Sequence, residues 1–105
     1  MKLWLDDIRQ APEGYIWCKS VNEAKYCVIK SKEPDKNCHI FENIELIDID
    51  HDAGDYAADG GDFIKFLDWL EEQGLNYPIR IHSMNPVGVD NMRRIIQRNG
   101  WTEIF

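Results

Sequence analysis

The sequence is poor in cysteine, in basic residues and in long apolar runs, and each shortage argues against a class of protein. Its three cysteines are an odd number without a CxxC spacing, which favours buried, reduced thiols over a disulfide framework or a zinc site. Lysine and arginine number 12 against 19 acidic residues, a net charge of −7, so we expect no general basic surface for nucleic acid. No apolar run is long enough to span a membrane, and the N-terminus does not resemble a signal peptide. We therefore expect a cytoplasmic protein with no membrane partner.

The chain has 105 residues, 44% of them hydrophobic, which is enough for one domain with a real core, residues 1–105. Hydrophobic runs predict five short strands: Lys2–Leu5, Tyr15–Cys18, about Glu45–Asp50, Ile79–His82 and Trp101–Phe105. Apolar periodicity and capping residues predict three helices: Val21 to about Lys30, about Asp62–Gln73, and Pro86–Asn99. The sequence thus predicts an α/β fold with an open, mainly parallel sheet of about five strands and three helices. The brief apolar segment Cys38–Phe41 is left unassigned, and Asp52–Gly61 is predicted to be a loop.

Polar residues follow three of these strands at their carboxyl ends. The segment IELIDIDHDAG, residues 44–54, begins as a buried strand and ends in alternating aspartates. The first strand runs directly into Asp6 and Asp7, and Ile79–Ile81 runs into His82, Ser83, Met84 and Asn85. Because ligands of parallel α/β sheets bind outside the carboxyl ends of the strands, we expect one site at this edge of the sheet.

The number of carboxylates at this edge indicates a bound divalent cation. Four of them would lie close together: Asp6, Asp7, Asp50 and Asp52. Two unit charges about 5 Å apart repel each other by about 3 kcal/mol at an effective dielectric constant near 20, and a hard cation relieves that repulsion. We expect Mg²⁺ or Mn²⁺, held by Asp6, Asp7 and Asp50. The alternative is that Arg9 and Arg80 pair with some of these carboxylates, or that water separates them.

Two histidines near the same edge, His51 and His82, could transfer protons near neutral pH. A histidine at a strand end is also often structural, so each has a second interpretation. Asp52 is a candidate base or additional ligand. Asp48 has the strand parity of Asp50 but lies deeper, and we expect it to be buried and hydrogen-bonded to backbone or to His51.

Ser83 and Asn85 are candidate phosphate-binding residues. They lie between a strand and a helix N-terminus, where free backbone N–H groups and the helix dipole attract anions. Asn85 is also expected to cap the third helix whether or not it contacts phosphate.

Three ordered blocks, LWLDDIRQAPEG, IDIDHDAG and IHSMNPVGVDNM, resemble the signature blocks of cyclic-phosphate processing receiver-like domains of bacteria and their phages. The resemblance implies a receiver-type fold and a role in processing cyclic phosphate groups, including RNA ends in repair or phage–host conflict. It also implies that Asp6 and Asp7 form the acidic metal-binding pair, that Asp50 matches the receiver phosphoacceptor and that Ser83 matches the hydroxyl residue. The chain departs from receivers in lacking the first crossover helix and a lysine in Trp101–Phe105, which argues against a phosphorelay role.

These observations lead to a metal-dependent phosphoesterase that acts on cyclic phosphates of nucleotides or RNA ends. Its predicted catalytic residues are Asp50, Asp52, His51 and His82, with Asp50 as a covalent nucleophile by analogy with receivers as one variant. A non-catalytic receiver-like module that binds Mg²⁺ and phosphate or nucleotide, for signalling or sequestration, is the alternative. A plain interaction domain, the third possibility, predicts no metal affinity.

Overall fold

The protein is described by a computed structural model that covers residues 1–33 and 43–105. Within these two ranges the chain forms four strands: β1 (Lys2–Leu5), β2 (Tyr15–Cys18), β3 (Leu46–Ile49) and β4 (Ile79–Ile81). Three α-helices accompany them: α1 (Val21–Lys32), α2 (Ile64–Gln73) and α3 (Pro86–Asn99). The α/β class, the three helices and the parallel sheet are as predicted, whereas the unassigned segment Cys38–Phe41 lies outside the described residues.

All four strands run parallel in the order β2-β1-β3-β4. The predicted fifth strand, Trp101–Phe105, is reduced to a single parallel bridge between Ile79 and Glu103. Ile79 donates its N–H to the Thr102 carbonyl and accepts from Ile104. Since β4 is only three residues long, it offers little backbone for a longer pairing, and the sheet has about four strands rather than five.

Local sequence signals explain where the helices begin and end. Ser20 caps α1 by accepting from the Glu23 N–H at 3.1 Å, and the Glu23 side chain accepts from the Lys19 N–H. Asn85 caps α3 with Pro86 in its first turn, and Gly74 ends α2 in the left-handed conformation. The predicted loop at 52–61 contains a 3₁₀ helix, Gly54–Ala58. No helix within the described ranges, 1–33 and 43–105, is long and apolar enough to cross a bilayer.

Only one face of the sheet contributes to the hydrophobic core. Side chains alternate between faces along a strand, and one parity is buried: Leu3, Leu5, Ile47, Ile49 and Ile79. These side chains share a single core with the buried residues of all three helices. The opposite parity carries Trp4, Asp48 and Arg80. In the described part of the chain no helix covers that opposite face, in keeping with the helix-free connection between β1 and β2.

Backbone hydrogen bonds beyond the strand ends align the residues that follow them. Asp6 donates its N–H to the Cys18 carbonyl at 3.2 Å. Asp50 donates to Leu5 at 2.8 Å, and His82 donates to Ile49 at 3.0 Å. The first residue after each of β1, β3 and β4 is therefore held by the neighbouring strand, which sets Asp6, Asp50 and His82 side by side at the carboxyl edge.

Candidate functional site

Three aspartates meet at this edge: Asp6, Asp7 and Asp50. Each contributes one carboxylate oxygen, and the three oxygens all lie within 4.8 Å of one another. In an octahedral Mg²⁺ site with ligands at about 2.1 Å, opposite ligands are about 4.2 Å apart and neighbouring ones about 3.0 Å, so these oxygens would have to approach one another by up to about 1.8 Å. Hard oxygen donors from carboxylates, supplemented by water, suit Mg²⁺ and Mn²⁺. This acidic cluster could therefore hold a divalent cation.

Asp6 is the buried member of the acidic cluster. Its Oδ1 accepts the backbone N–H groups of Ile8 and Arg9, both at 2.9 Å, and its Oδ2 lies 3.0 Å from Nε2 of His82. Burial alone would raise its pKa, but the backbone hydrogen bonds and His82 outweigh burial and hold the pKa of Asp6 below its usual value. Oδ2 keeps a lone pair for a cation.

The pKa of Asp7 is shifted in the opposite direction from that of Asp6. Burial raises the pKa of Asp7, and the neighbouring charges of Asp6 and Asp50 raise it further. Its carboxylate packs against Gly54, where an added Cβ would lie 2.1 Å from Asp7 Oδ2. Gly54 also has a φ of +54°, which side chains rarely adopt. The start of the 3₁₀ helix is thus shaped around this carboxylate, which remains in a repulsive environment unless a cation binds.

His82 connects two buried carboxylates. Its Nδ1 lies 2.6 Å from Oδ1 of Asp48 and its Nε2 lies 3.0 Å from Asp6. Its ring stacks on Trp4 with centroids 3.8 Å apart and planes 5° from parallel. The expectation that Asp48 bonds to backbone or to His51 is wrong, because Asp48 and His82 project from adjacent strands on the same helix-free face of the sheet. Each of these two contacts is a hydrogen bond that contains one proton. Both ring nitrogens of His82 are therefore occupied by carboxylate partners.

The second carboxylate oxygen of Asp48, Oδ2, is buried and has no hydrogen bond within the described residues. The Arg80 guanidinium forms an ion pair with this oxygen, with Nη1 3.7 Å away. Arg9 contacts the same region by donating from Nη1 to the His82 carbonyl at 3.4 Å. Among the described residues neither arginine forms an ion pair with Asp7 or Asp50. The structure therefore does not support the alternative that Arg9 and Arg80 neutralise the acidic cluster.

His51 and Asp52 form a separate pair beside the acidic cluster. Nδ1 of His51 lies 2.7 Å from Oδ1 of Asp52, and the His51 backbone N–H donates to Asp50 Oδ1 at 2.7 Å. The His51 ring packs on the first turn of α3, where an added Cβ at Gly88 would lie 2.5 Å from its Cγ. Asp52 is more than half exposed and does not join the acidic cluster.

Ser83 and Asn85 use their oxygens locally. Oγ of Ser83 accepts the Asn85 N–H at 3.1 Å, and Oδ1 of Asn85 accepts the Gly88 N–H at 3.0 Å. Asn85 therefore caps α3, as predicted. The Ser83 hydroxyl proton and the Asn85 amide N–H₂ make no hydrogen bond within the described residues, so both side chains retain donors for an anion.

The structure thus brings Asp6, Asp7 and Asp50 together and places His51, Ser83 and Asn85 around the first turn of α3. Their catalytic and binding roles stay predictions. Sequence reasoning missed the stack of Trp4 on His82 and the contact of Gly54 with Asp7. Strand parity places Trp4 opposite Asp48 and could have indicated the first of these, whereas the second depends on tertiary packing.

Residues 1–98 match the family model of the cyclic-phosphate processing receiver domain. No curated protein matches the chain, and no solved structure matches it.

Proposed function

The chain belongs to the cyclic-phosphate processing receiver domain family, and from this premise we propose that it is a metal-dependent phosphoesterase acting on cyclic phosphate groups of nucleotides or RNA ends. The observation that carries this proposal is the convergence of Asp6, Asp7 and Asp50 within 4.8 Å at the carboxyl edge of the sheet. These three carboxylates would hold Mg²⁺ or Mn²⁺. When bound, the cation supplies charge for a phosphate oxygen and acidifies a water molecule.

The chain's own residues then divide the remaining tasks. The Ser83 hydroxyl and the Asn85 amide each donate to a phosphate oxygen, next to the N-terminus of α3, whose dipole favours an anion. Their acceptor oxygens are already occupied by backbone N–H groups, which fixes the direction of the donors. The phosphate is therefore oriented between the acidic cluster and the helix.

Of the two histidines, His51 is better placed to move a proton. Asp52 faces its Nδ1 at 2.7 Å, and a proton held on Nδ1 leaves Nε2 as the acceptor for a proton of the attacking water. His82 has both nitrogens facing carboxylates, so we assign it the task of orienting Asp6. Asp50 as a covalent nucleophile is the variant of this mechanism in which the carboxylate itself attacks phosphorus.

The net charge of −7 restricts how an RNA substrate can bind. An acidic surface repels the negatively charged phosphodiester backbone of RNA at low ionic strength. The cation and the helix N-terminus would attract a phosphate locally, so we expect recognition of a terminal cyclic phosphate rather than of a duplex or a long strand.

The test is hydrolysis of 2′,3′-cyclic nucleotides and of RNA with a cyclic phosphate end, with Mn²⁺ or Mg²⁺ and with EDTA. We expect metal-dependent formation of the monoester, abolished in Asp50→Ala and retained in Asp55→Asn, which removes an exposed acidic charge from the 3₁₀ helix outside the acidic cluster. No metal-dependent product, or product undiminished in Asp50→Ala, would refute the proposal.

A second candidate is a non-catalytic module that binds Mg²⁺ and phosphate or nucleotide. It is supported by the acidic cluster, which could hold a cation and a phosphate group without any turnover. Uptake of beryllofluoride, or tight nucleotide binding, would support this module when no turnover of the cyclic substrates accompanies it, and it is the missing turnover that would exclude the esterase. Absence of any metal affinity by calorimetry would exclude both.

A further inference from the structure

An open cavity of about 500 Å³ lies between the edge strand β2 and helix α1, outside the proposed metal and phosphate residues. Eight residues line it: Ile16, Trp17, Cys18, Asn22, Glu23, Tyr26, Cys27 and Asp59. This volume is within the range of small-molecule sites in proteins. The cavity is lined mainly by apolar atoms, and it gives solutes an approach to two cysteines.

The two sulfurs at this cavity are in contact. Sγ of Cys18 and Sγ of Cys27 are 3.8 Å apart, and both residues are nearly fully buried. Cys18 is the last residue of β2, and Cys27 lies on the α1 face that packs against the core. A disulfide needs a sulfur separation of about 2.05 Å, so the sulfurs would have to approach by about 1.8 Å. That approach needs side-chain rotation with a small shift of β2, which is an edge strand.

The contact makes the two thiols chemically unequal. Either sulfur could donate in this contact; with Cys18 as the donor, the hydrogen bond lowers the pKa of Cys27 despite its burial. The same hydrogen bond, together with burial, raises the pKa of Cys18. A thiolate is the nucleophile in thiol–disulfide exchange, and Cys27 is also the more exposed of the two residues, 6% against 1% for Cys18. We therefore assign Cys27 as the attacking group and Cys18 as the group that resolves the intermediate.

We propose that Cys18 and Cys27 form a redox modification site, at which a small disulfide entering the cavity converts the two thiols into an intramolecular disulfide. In the first step the Cys27 thiolate attacks one sulfur of the small disulfide, whose S–S bond breaks and releases one thiolate. In the second step Cys18 loses its proton, attacks Sγ of Cys27 and releases the second thiolate. Two protein thiols are oxidised by two electrons, and the small disulfide is reduced to two thiols once both thiolates are protonated.

This site is connected to the acidic edge through the backbone. The Cys18 carbonyl accepts the Asp6 N–H at 3.2 Å, and Nε1 of Trp17 donates to the Asp6 carbonyl at 2.7 Å. The end of β2 thus holds Asp6 by two hydrogen bonds. The modification itself requires neither metal binding nor esterase activity.

The experiment uses oxidised glutathione with the full chain carrying Cys38→Ser, so that only the two paired thiols remain. After incubation the protein is acid-quenched, unfolded, treated with N-ethylmaleimide and weighed intact. We expect a mass loss of two hydrogens with no maleimide or glutathione adduct, and an unchanged far-ultraviolet circular dichroism spectrum. Two maleimide adducts after incubation, or two stable glutathione adducts, would overturn the proposal.

Two further variants test the order of the steps. With Cys18→Ser added, the reaction is expected to stop at one glutathione on Cys27; with Cys27→Ser added, we expect glutathionylation of Cys18 to be at least tenfold slower than that of Cys27. Equal rates would contradict the assigned order.

If a variant does not fold, the wild-type chain provides the test, because trypsin cleaves after Lys19 and Lys25 and leaves the two cysteines on separate peptides. A linked peptide pair supports the site, and separate alkylated peptides refute it.

Discussion

Replacing Asp7 by asparagine tests the electrostatic character of the acidic cluster directly. At the 4.8 Å limit of the oxygen separations, a pair of unit charges repels by about 3.5 kcal/mol at an effective dielectric constant of 20 and by about 0.9 kcal/mol in water. Asp7 faces two such charges, Asp6 and Asp50, and is itself half-buried. We expect Asp7→Asn to raise the free energy of unfolding of the metal-free protein by about 2 kcal/mol, toward the solvent-screened end of this range.

The assay is thermal unfolding in EDTA, where a gain of this size corresponds to an increase of about 8 °C in the melting temperature. In saturating Mg²⁺ the difference should narrow, because a cation at about 100 times its Kd adds about 2.7 kcal/mol to the wild type and less to a variant that lacks one ligand. Asp55→Asn, which removes an exposed charge, is the matched control and should change little. If Asp7→Asn melts at or below the wild-type temperature in EDTA, the reasoning from charge repulsion is refuted.

The pH dependence of this difference has a definite sign. The pKa of Asp7 is raised above its ordinary value of 3.8, so the native state holds its proton more tightly than the unfolded state does. The cost of the charged carboxylate is absent below that ordinary value, where both states are protonated, and grows as pH rises through the raised pKa. The advantage of Asp7→Asn should therefore be present at pH 7 and vanish as pH falls below 3.8. An advantage that persists in acid would point to packing rather than charge.

Two further substitutions test the supports of the acidic cluster. Gly54→Ala places a Cβ 2.1 Å from the Asp7 carboxylate and should cost more than about 1 kcal/mol in urea unfolding while weakening Mg²⁺ binding. Gly14→Ala is its control, since Gly14 also has a positive φ but has no atom within 4 Å of an added Cβ; an equal cost in the two variants would rule out the contact with the carboxylate. Asp48→Asn removes a buried, charge-assisted partner of His82 and should cost about 1–3 kcal/mol in urea unfolding, with weaker Mg²⁺ binding by calorimetry. An unchanged urea midpoint would mean that the link contributes nothing to stability.

Much of the architecture follows from patterns that are local in sequence. The capping box at Ser20 and Glu23 and the Asn-Pro start of α3 are decided within a few residues, and the structure retains them. The extent of pairing at Trp101–Phe105 was not predictable in this way, because it depends on how much backbone β4 leaves free. The strand-like composition of Trp101–Phe105 carries no information about the length of β4, the strand with which it pairs.

The candidate site shows the same division. Parallel strands place their carboxyl ends at one edge, so a shared edge for Asp6 and Asp50 could be inferred from strand assignment, and the pairing of β1 with β3 makes them neighbours there. The partner of Asp48 could not, because choosing His82 rather than His51 requires knowing that β3 lies beside β4 and that His82 continues the helix-free face. The contact of Gly54 with Asp7 could not be predicted either, because Gly54 matters through the space that it leaves for a carboxylate far away in the sequence.

Because the hydrophobic core lies on one face of the sheet, the residues that stabilise the fold differ from those that surround Asp6. Residues that hold the layers together point toward the helices, while Trp4, Asp48 and His82, which set the environment of Asp6, lie on the opposite side of the same strands. Exchanges on that outer side can adjust how the acidic edge binds its ligand without opening the hydrophobic interior. Descendants of such a chain can therefore diversify in chemistry while keeping one scaffold.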